Sequence, residues 1–271
     1  MCPDLFQIGP LPIRAYGLAL AVSFFLGVLY VWRQTSKRGL SFDPYLSISY
    51  IMIAAGVIGA RLFYVFSHVD EFSGNWPSSF NPFGGSRFGI AGLNVYGGVI
   101  AAVLATYIYC RVKKMSLLEV LDFFAPTLGL GLAITRIGCF MNGCCFGTPT
   151  ELPWGVSFPV ASIPHYVFGD AHLHPSQLYS SLYGLLVFLL LHFMLKHRRF
   201  AGQILATLFM VEAVFRYAIE YVRYYEDEMH FSLLGMNPTY NQIISIALFC
   251  LGLGIYLTQG RKRRTTVDED N

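Results

Sequence analysis

The stretch from Arg136 to Gly147 combines residue types that can do chemistry on an anionic ligand. Its twelve residues read Arg-Ile-Gly-Cys-Phe-Met-Asn-Gly-Cys-Cys-Phe-Gly, with one guanidinium, three glycines and three cysteines. They follow a long apolar run, in which a charge has no packing role and usually marks a functional site. Glycines at this density let the backbone approach a ligand or a second segment closely. We interpret the stretch as the floor of a lipid-headgroup site that faces the outside of a membrane.

The cysteines of this stretch, Cys139, Cys144 and Cys145, allow three interpretations. They can be small, buried, weakly apolar side chains. Cys139 can form a disulfide with either of the others, because the predicted outer face is oxidising. The three can also form a thiolate group that works in catalysis or binds a soft metal, since nearby Arg136 favours a thiolate. The chain has no Cys-x-x-Cys pair and no usual zinc pattern, so we assign neither a metal nor a cofactor.

Apolar blocks long enough to cross a bilayer position this stretch. Of the 271 residues, 55% are hydrophobic and 13% are charged, whereas a typical soluble domain has about 25% charged residues. Several blocks reach about 20 residues, the length of a membrane-spanning helix. We therefore expect an all-α polytopic membrane protein with seven transmembrane helices. The predicted spans are Arg14–Trp32, Ser47–His68, Tyr96–Arg111, Leu117–Ile137, Ser176–Lys196, Gln203–Arg223 and Tyr240–Leu257.

These spans predict one transmembrane domain over residues 1–260, with outer-face segments at 69–95 and 138–175. Residues 261–271 form a basic and then acidic tail, which we expect to be cytoplasmic and disordered. Thirteen of the nineteen basic residues follow spans one, three, five and seven: Arg33, Lys37, Arg38, Arg111, Lys113, Lys114, Lys196, Arg198, Arg199, Arg261, Lys262, Arg263 and Arg264. Because Lys and Arg mark the cytoplasmic side, the N-terminus is predicted outside and the C-terminus in the cytoplasm. The net charge of +3 then reflects topology and indicates no nucleic-acid partner.

Six basic residues do not fit this charge bias, and all are arginine: Arg14, Arg61, Arg87, Arg136, Arg216 and Arg223. A charge at mid-membrane costs about 2.5–3.5 kcal/mol, so such residues face the interior and pair with something. The planar guanidinium suits phosphate because it donates two parallel hydrogen bonds. Arg14 and Arg87 can equally be interfacial anchors. In the sixth span, four charged residues spaced by four, four and three positions lie on one face of the helix. These charges either fix the packing of the helix or leave one guanidinium with donors for an anionic ligand. The four residues are Glu212, Arg216, Glu220 and Arg223.

Short motifs occur along nearly the whole chain in a fixed order, and their shared spacing is specific although each is weak alone. They are Ile8-Gly9-Pro10 with Tyr16-Gly17, Gly59-Ala60-Arg61, Tyr96-Gly97-Gly98-Val99, Asp122-Phe123 with Ala125-Pro126, the stretch from Arg136 to Gly147, His174-Pro175-Ser176-Gln177-Leu178-Tyr179, and Phe215-Arg216 with Glu220 and Arg223. In these motifs the chain resembles the prolipoprotein diacylglyceryl transferases, the bacterial enzymes that put the first lipid on lipoproteins.

The resemblance implies a transferase that acts on phosphatidylglycerol and on the lipobox in the signal peptide of preprolipoproteins. The lipobox cysteine thiol would attack the glyceryl carbon that bears the phosphate, giving a thioether and glycerol phosphate. It also implies a multi-pass protein among the lipids of the bacterial cytoplasmic membrane, with an active site facing the periplasm and the outer leaflet. By motif position, the catalytic residues would be Arg136, Arg216, Tyr16 and Tyr96. The substrate-binding residues would be Arg61, Gly97, Gly98, Cys139, Asn142, Gly143, Cys144, Gly147, Glu220 and Arg223.

Three positions depart from the family pattern. Tyr96 stands where the family has His, Cys139 where it has Asn, and Cys144 where it has Glu. Tyrosine has an ordinary pKa of about 10, so the general base stays unassigned. Two other functions remain open: a divergent paralogue with the same phospholipid pocket but another acceptor or thiol-dependent chemistry, and a lipid-binding or transport protein without chemistry. Against the last, the chain shows no inverted repeat.

Overall fold

The structure is a computed structural model that describes residues 4–8, 11–72, 94–225 and 239–269. In the described residues the regular elements are helices, as predicted, apart from a small two-stranded sheet of β1 and β2. The elements are β1 Asp4–Ile8, β2 Leu11–Arg14, α1 Ala15–Lys37, α2 Asp43–Ser67, α3 Val69–Phe72, α4 Val95–Val112, α5 Leu117–Asn142, α6 Ile163–Phe168, α7 Ser176–Lys196, α8 Gln203–Ile219 and α9 Tyr240–Glu269.

Five of the described helices are long and apolar enough to cross a membrane: α1, α2, α5, α7 and, over Tyr240–Lys262, α9. The apolar helix α4 is shorter, and α8 has 17 residues that include Glu212 and Arg216. Each predicted span overlaps one of these seven helices. The chain is therefore a multi-pass membrane protein by the length and composition of its helices.

Two helix ends near the stretch from Arg136 to Gly147, here called the signature stretch, differ from the predicted spans. Helix α5 continues past Ile137 to Asn142, so Cys139 and Asn142 lie in its last turn. Helix α8 ends at Ile219 and does not reach Arg223. The reason is tertiary pairing, because residues 222–224 form backbone hydrogen bonds with residues 146–148 instead of continuing the helix.

The C-terminal tail also differs from its prediction. Helix α9 continues to Glu269, through most of the segment expected to be disordered. Arginine and lysine have good helix propensity, and extending an existing helix needs no new nucleus. Of the predicted outer segment 69–95, residues 73–93 lie outside the described part of the chain, and Arg87 with them.

The chain divides into two compact units. One consists of Gln7–Pro12 and Val31–Val120, and in it α2 packs against α4. Glycines allow this packing, since a Cβ on Gly97 would lie 2.6 Å from the Gly59 carbonyl oxygen and a Cβ on Gly98 would lie 2.9 Å from that of Gly56.

The other unit consists of Met1–Phe6, Ile13–Tyr30 and Leu121–Asn271, and it contains the signature stretch. Its apolar core joins α5, α7 and α8 through Ala125, Val187, Leu191, Leu195, Ile204 and Leu208. Helix α9 packs against α8.

A buried carboxylate fixes the start of α8 in this unit. Asp122 of α5 is fully buried and accepts hydrogen bonds from the backbone N–H groups of Gly202 at 2.8 Å, Ile204 at 3.0 Å and Leu205 at 2.9 Å. The first N–H groups of a helix have no acceptor within the helix. The Asp122 carboxylate, which lies on a neighbouring helix, is the acceptor for those of α8. Its Oδ2 also pairs with Arg198 at 3.3 Å. The orientation of α8, which carries Arg216, therefore depends on α5.

The predicted outer segment 138–175 is compactly folded. Short β-bridges join Pro149 and Val156 to Leu173. Phe146, Phe158 and Leu173 form a buried cluster, against which Tyr224 packs. The residues after α5 are thus held against those that follow α8.

Candidate functional site

Two glycines set the course of the signature stretch at the end of α5. A Cβ on Gly138 would lie 2.9 Å from the Cβ of Ala19 and 3.1 Å from the Cα of Tyr16, so glycine lets α5 approach the start of α1 here. Tyr16 is thereby brought beside the signature. Gly143 ends the helix with φ +71°, a conformation that other residues adopt only with strain.

The three cysteines lie together, as one of the open interpretations expected. The Sγ atoms of Cys139, Cys144 and Cys145 all lie within 4.8 Å of one another. All three are free thiols, so the disulfide interpretation is not realised here. Cys139 is buried, and the other two are half-buried. Cys145 has φ +61°, which is unusual for a residue other than glycine.

The first residues of α7 hold the backbone of Cys144 and Cys145, the segment called the cysteine loop below. The hydroxyl of Ser176 donates to the Cys145 carbonyl oxygen at 2.8 Å, and the amide of Gln177 donates to that of Cys144 at 2.9 Å. Both side chains are buried. Ser176 is the first residue of α7, and Pro175 occupies the cap position without a side-chain bond.

Gly147 lies between two other segments of the chain. It pairs with Arg223 in an antiparallel bridge, and its N–H donates to the His174 carbonyl oxygen at 3.1 Å. A Cβ at this position would lie 2.6 Å from both the His174 and the Val222 carbonyl oxygens, so only glycine fits. Gly147 therefore brings Arg223 to the cysteine loop through backbone pairing rather than through a shared helix face.

A second set of contacts fixes Arg216. Its Nη2 lies 3.1 Å from Glu220 Oε1 and donates to the Tyr225 hydroxyl at 2.9 Å. That hydroxyl donates to Glu220 at 2.6 Å, and Thr239 donates to the other carboxylate oxygen at 2.7 Å. The Glu220 side chain is only 1% exposed. Glu220 is thus the buried centre of the contacts that hold Arg216 in place.

Three arginines converge, because each pair of them acts electrostatically on one shared side chain. Arg136 and Arg223 both act on Cys145. Arg216 and Arg223 both act on Tyr225, and Arg136 and Arg216 both act on Glu212. Three of the six arginines outside the charge bias therefore share one site.

Arg223 brings an unsatisfied donor to this group. Its guanidinium lies 4.9 Å from the centre of the Tyr225 ring. Its buried Nε has no hydrogen-bond partner among the described residues. A buried donor left unpaired costs about 1–3 kcal/mol, which an acceptor on a ligand would recover.

The electrostatics outside the helices favour one thiolate in the cluster. Hydrogen bonds from Cys139 and Cys144, and then the charges of Arg223 and Arg136, lower the pKa of Cys145 well below its ordinary range. Burial raises the pKa of Tyr225 to about 12, although Arg223 and Arg216 oppose this shift. The raised pKa of Tyr225 favours the protonated phenol, which donates to Glu220, and the lowered pKa of Cys145 favours its thiolate.

Of the remaining predicted residues, four belong to the other compact unit and one lies next to the cysteine loop. Arg61, Tyr96, Gly97 and Gly98 belong to the unit of α2 and α4. The two glycines are accounted for by helix packing, and Arg61 lies over the Tyr64 ring at 5.7 Å. Their part in catalysis or substrate binding stays a prediction. Asn142 is exposed at the end of α5, beside the cysteine loop.

Several residues of the site were not predicted from the sequence. Tyr225 and Thr239 complete the surroundings of Glu220, and Gln177 holds the cysteine loop. Gln177 lies within a recognised motif, which was a usable signal. Thr239 had none, because 19 residues separate it from Glu220 along the chain.

A metal ion could be held by the three cysteines. Within the described ranges they are the one group of three or more His, Cys, Asp or Glu side chains close enough to share an ion. Two histidines of the segment 138–175 make other contacts: His172 with the Gly155 carbonyl oxygen at 3.3 Å and His174 with the Tyr179 hydroxyl at 3.3 Å.

Known proteins are similar to this sequence along almost its whole length. The family model described as prolipoprotein diacylglyceryl transferase matches residues 3–258. Relatives named phosphatidylglycerol–prolipoprotein diacylglyceryl transferase include that of Clostridium tetani, 30% identical over 258 residues, covering 95% of this chain and 96% of the relative. That of Campylobacter hominis is 33% identical over 265 residues, covering 94% and 90%. The resemblance seen in the motifs is confirmed, and the chain belongs to the prolipoprotein diacylglyceryl transferase family of enzymes.

Proposed function

We propose that this protein transfers a diacylglyceryl group from phosphatidylglycerol to the lipobox cysteine of preprolipoproteins. The thiol gives up its proton to solvent and its sulfur forms a thioether bond to the glyceryl carbon. The bond from that carbon to the phosphate oxygen breaks, and glycerol phosphate leaves with the electron pair. The convergence of Arg136, Arg216 and Arg223 carries this proposal. The relatives' names, which specify this donor and a prolipoprotein acceptor, support it.

The arginines serve the leaving phosphate. Negative charge develops on the phosphate oxygen as the carbon–oxygen bond breaks, and donors already in place stabilise it without reorganisation. Arg216 has five N–H donors, and among the described residues its bonds use only Nη2. Arg223 supplies its buried Nε. Arg136 lies on α5 one turn before Cys139, and its charge acts on Cys145.

The space around these arginines would receive the glycerol headgroup. Tyr16 contributes a half-exposed phenol beside Gly138. Asn142 and Gly143 form the turn at the mouth of the cysteine loop.

The membrane arrangement is part of the proposal. Seven helices cross the cytoplasmic membrane, with the N-terminus outside, the C-terminus in the cytoplasm and the arginine site open to the periplasm. The distribution of thirteen basic residues over alternate connections supports this topology. A C-terminal green fluorescent protein fusion should fluoresce, and a C-terminal alkaline phosphatase fusion should be inactive. The opposite pattern would reverse the orientation.

Transfer of labelled diacylglycerol from phosphatidylglycerol vesicles to a lipobox peptide tests the function. Arg136→Ala and Arg216→Ala should each abolish transfer. Arg111→Ala is the matched control, because it removes an exposed guanidinium from the end of α4 and should leave transfer intact. Full activity in both site variants would end the proposal.

The three thiols favour one alternative, a paralogue that uses the same phospholipid with another acceptor. In that case glycerol phosphate would be released only when an acceptor other than the lipobox peptide is present. A lipid-binding protein without chemistry would release no glycerol phosphate with any acceptor.

A further inference from the structure

The cysteine cluster is a built feature rather than a chance grouping of small side chains. Cys145 adopts φ +61°, and such a backbone costs a residue with a side chain about 1–3 kcal/mol. Buried Ser176 and Gln177 hold the carbonyl groups of Cys145 and Cys144 in place. The bonds from α7 thus maintain a strained loop whose thiols meet Cys139 within 4.8 Å.

Cationic side chains lie near the cluster. Arg136 lies one turn before Cys139 on α5, and Arg223 pairs with Gly147, two residues after Cys145. Cationic groups beside a thiol favour the thiolate, the form that binds metals. Three thiolates around a monovalent ion would leave two negative charges, whereas a divalent ion leaves one. Two guanidinium groups nearby can balance that one charge and still attract an anionic ligand.

We propose that Cys139, Cys144 and Cys145 form a three-thiolate site for a thiophilic divalent metal ion of the Zn²⁺ type. Thiolate ligands select soft or borderline ions such as Zn²⁺. Three sulfurs bound at about 2.3 Å to a tetrahedral ion lie about 3.8 Å apart, so movements of about 1 Å close the cluster around an ion.

The proposed site leaves a coordination position open. No fourth His, Cys, Asp or Glu atom joins the three sulfurs within the described part of the chain. Zinc sites with three protein ligands and an open fourth position are typical of catalytic rather than structural zinc. An external ligand can therefore bind the ion directly.

The natural external ligand is the acceptor thiol, an assignment that rests on the proposed function. A thiol that coordinates such an ion loses its proton, here to solvent. The resulting thiolate sulfur then attacks the glyceryl carbon, the carbon–oxygen bond to the phosphate breaks, and glycerol phosphate leaves with that electron pair. The reaction is a nucleophilic substitution and needs no oxidant or reductant. The metal would thus supply the thiol activation for which the sequence left the general base unassigned.

Cobalt binding to the reduced full-length protein in detergent tests the metal site directly. One Co²⁺ per chain should bind with sulfur-to-cobalt charge-transfer absorption, and each of Cys139→Ser, Cys144→Ser and Cys145→Ser should lose at least tenfold in affinity. Cys110→Ser and Cys250→Ser are the matched controls, since these free thiols lie outside the cluster and should not change binding. Absence of the absorption, or its persistence in the cluster variants, would overturn the proposal.

X-ray absorption of the zinc-loaded wild type needs no substitution and guards against variants that fail to fold. Three sulfur neighbours at about 2.3 Å are expected, and a first shell without sulfur would overturn the site. A disulfide among the three cysteines in protein purified without reductant would overturn it too.

Diacylglyceryl transfer then separates this inference from the proposed function. Removal of the ion with a chelator should reduce transfer at least a hundredfold, and Zn²⁺ should restore it. Transfer that is unaffected by metal removal would refute thiol activation. A protein that binds the ion through three sulfurs but never transfers lipid would refute the proposed function and leave the metal site standing.

Discussion

Replacing Glu220 with Gln tests whether Arg216 works only when its partner holds it in place. The Glu220 side chain is 1% exposed and lies 3.1 Å from Arg216. Glutamine has nearly the same shape and can turn its oxygen toward Arg216 and Tyr225 and its amide toward Thr239. The substitution therefore removes the charge while keeping most of the packing.

The expected size follows from the bonds that change. A hydrogen bond to a charged group contributes about 1.5–3 kcal/mol and a neutral one about 0.5–1.5, so the loss is roughly 1–1.5 kcal/mol. Since about 1.4 kcal/mol corresponds to a factor of ten, kcat/KM for diacylglyceryl transfer should fall roughly five- to tenfold. Glu220→Ala should also lower stability by about 3–5 kcal/mol, because it leaves Arg216 without its ion-pair partner.

A matched variant separates orientation from stability. Thr239→Val removes the 2.7 Å bond to the other carboxylate oxygen and leaves the Arg216 contact in place. It should lower the unfolding temperature in detergent with less effect on kcat/KM than Glu220→Gln. Glu220→Gln protein that transfers lipid as fast as wild type would refute the idea that Glu220 positions Arg216.

Three further substitutions or measurements follow from the structure. Asp122→Ala removes the acceptor for the buried N–H of Gly202 and its neighbours and should lower the free energy of unfolding by about 1–3 kcal/mol; an unchanged denaturation midpoint would contradict this. Gly147→Ala should abolish folding or transfer because of the 2.6 Å clashes, whereas Gly131→Ala, with nothing within 4 Å, should be tolerated; equal behaviour of the two would contradict the close packing. In reduced, metal-free protein, iodoacetamide should alkylate Cys145 rapidly even below pH 7, because its pKa is lowered. An alkylation rate that falls with decreasing pH as for an ordinary thiol, whose pKa is about 8.5, would contradict the lowered pKa.

The helices were the most predictable part of the molecule. Apolar blocks of bilayer length specify them locally, and each predicted span overlaps a helix. The ends were less predictable, because long-range contacts determine them. Arg223 leaves the helix to pair with Gly147, a residue 76 positions earlier whose pairing no local pattern encodes.

The site was predictable where its residues share a motif. Arg136, Asn142 and Gly143 lie in one stretch, and their neighbourhood follows from the chain itself. The partners of Glu220 were not predictable, because Tyr225 and Thr239 meet it only through folding. The cysteine spacing allowed three interpretations, and only the folded loop brings the three thiols together.

The position of a bound phosphatidylglycerol tests the central claim most directly. An electron cryomicroscopy structure of the protein in phosphatidylglycerol nanodiscs should show the phosphate at about 2.7–2.9 Å from nitrogens of Arg136 and Arg216, the usual distance for charged pairs. A headgroup bound elsewhere, with these guanidinium groups turned toward lipid tails, would contradict the account.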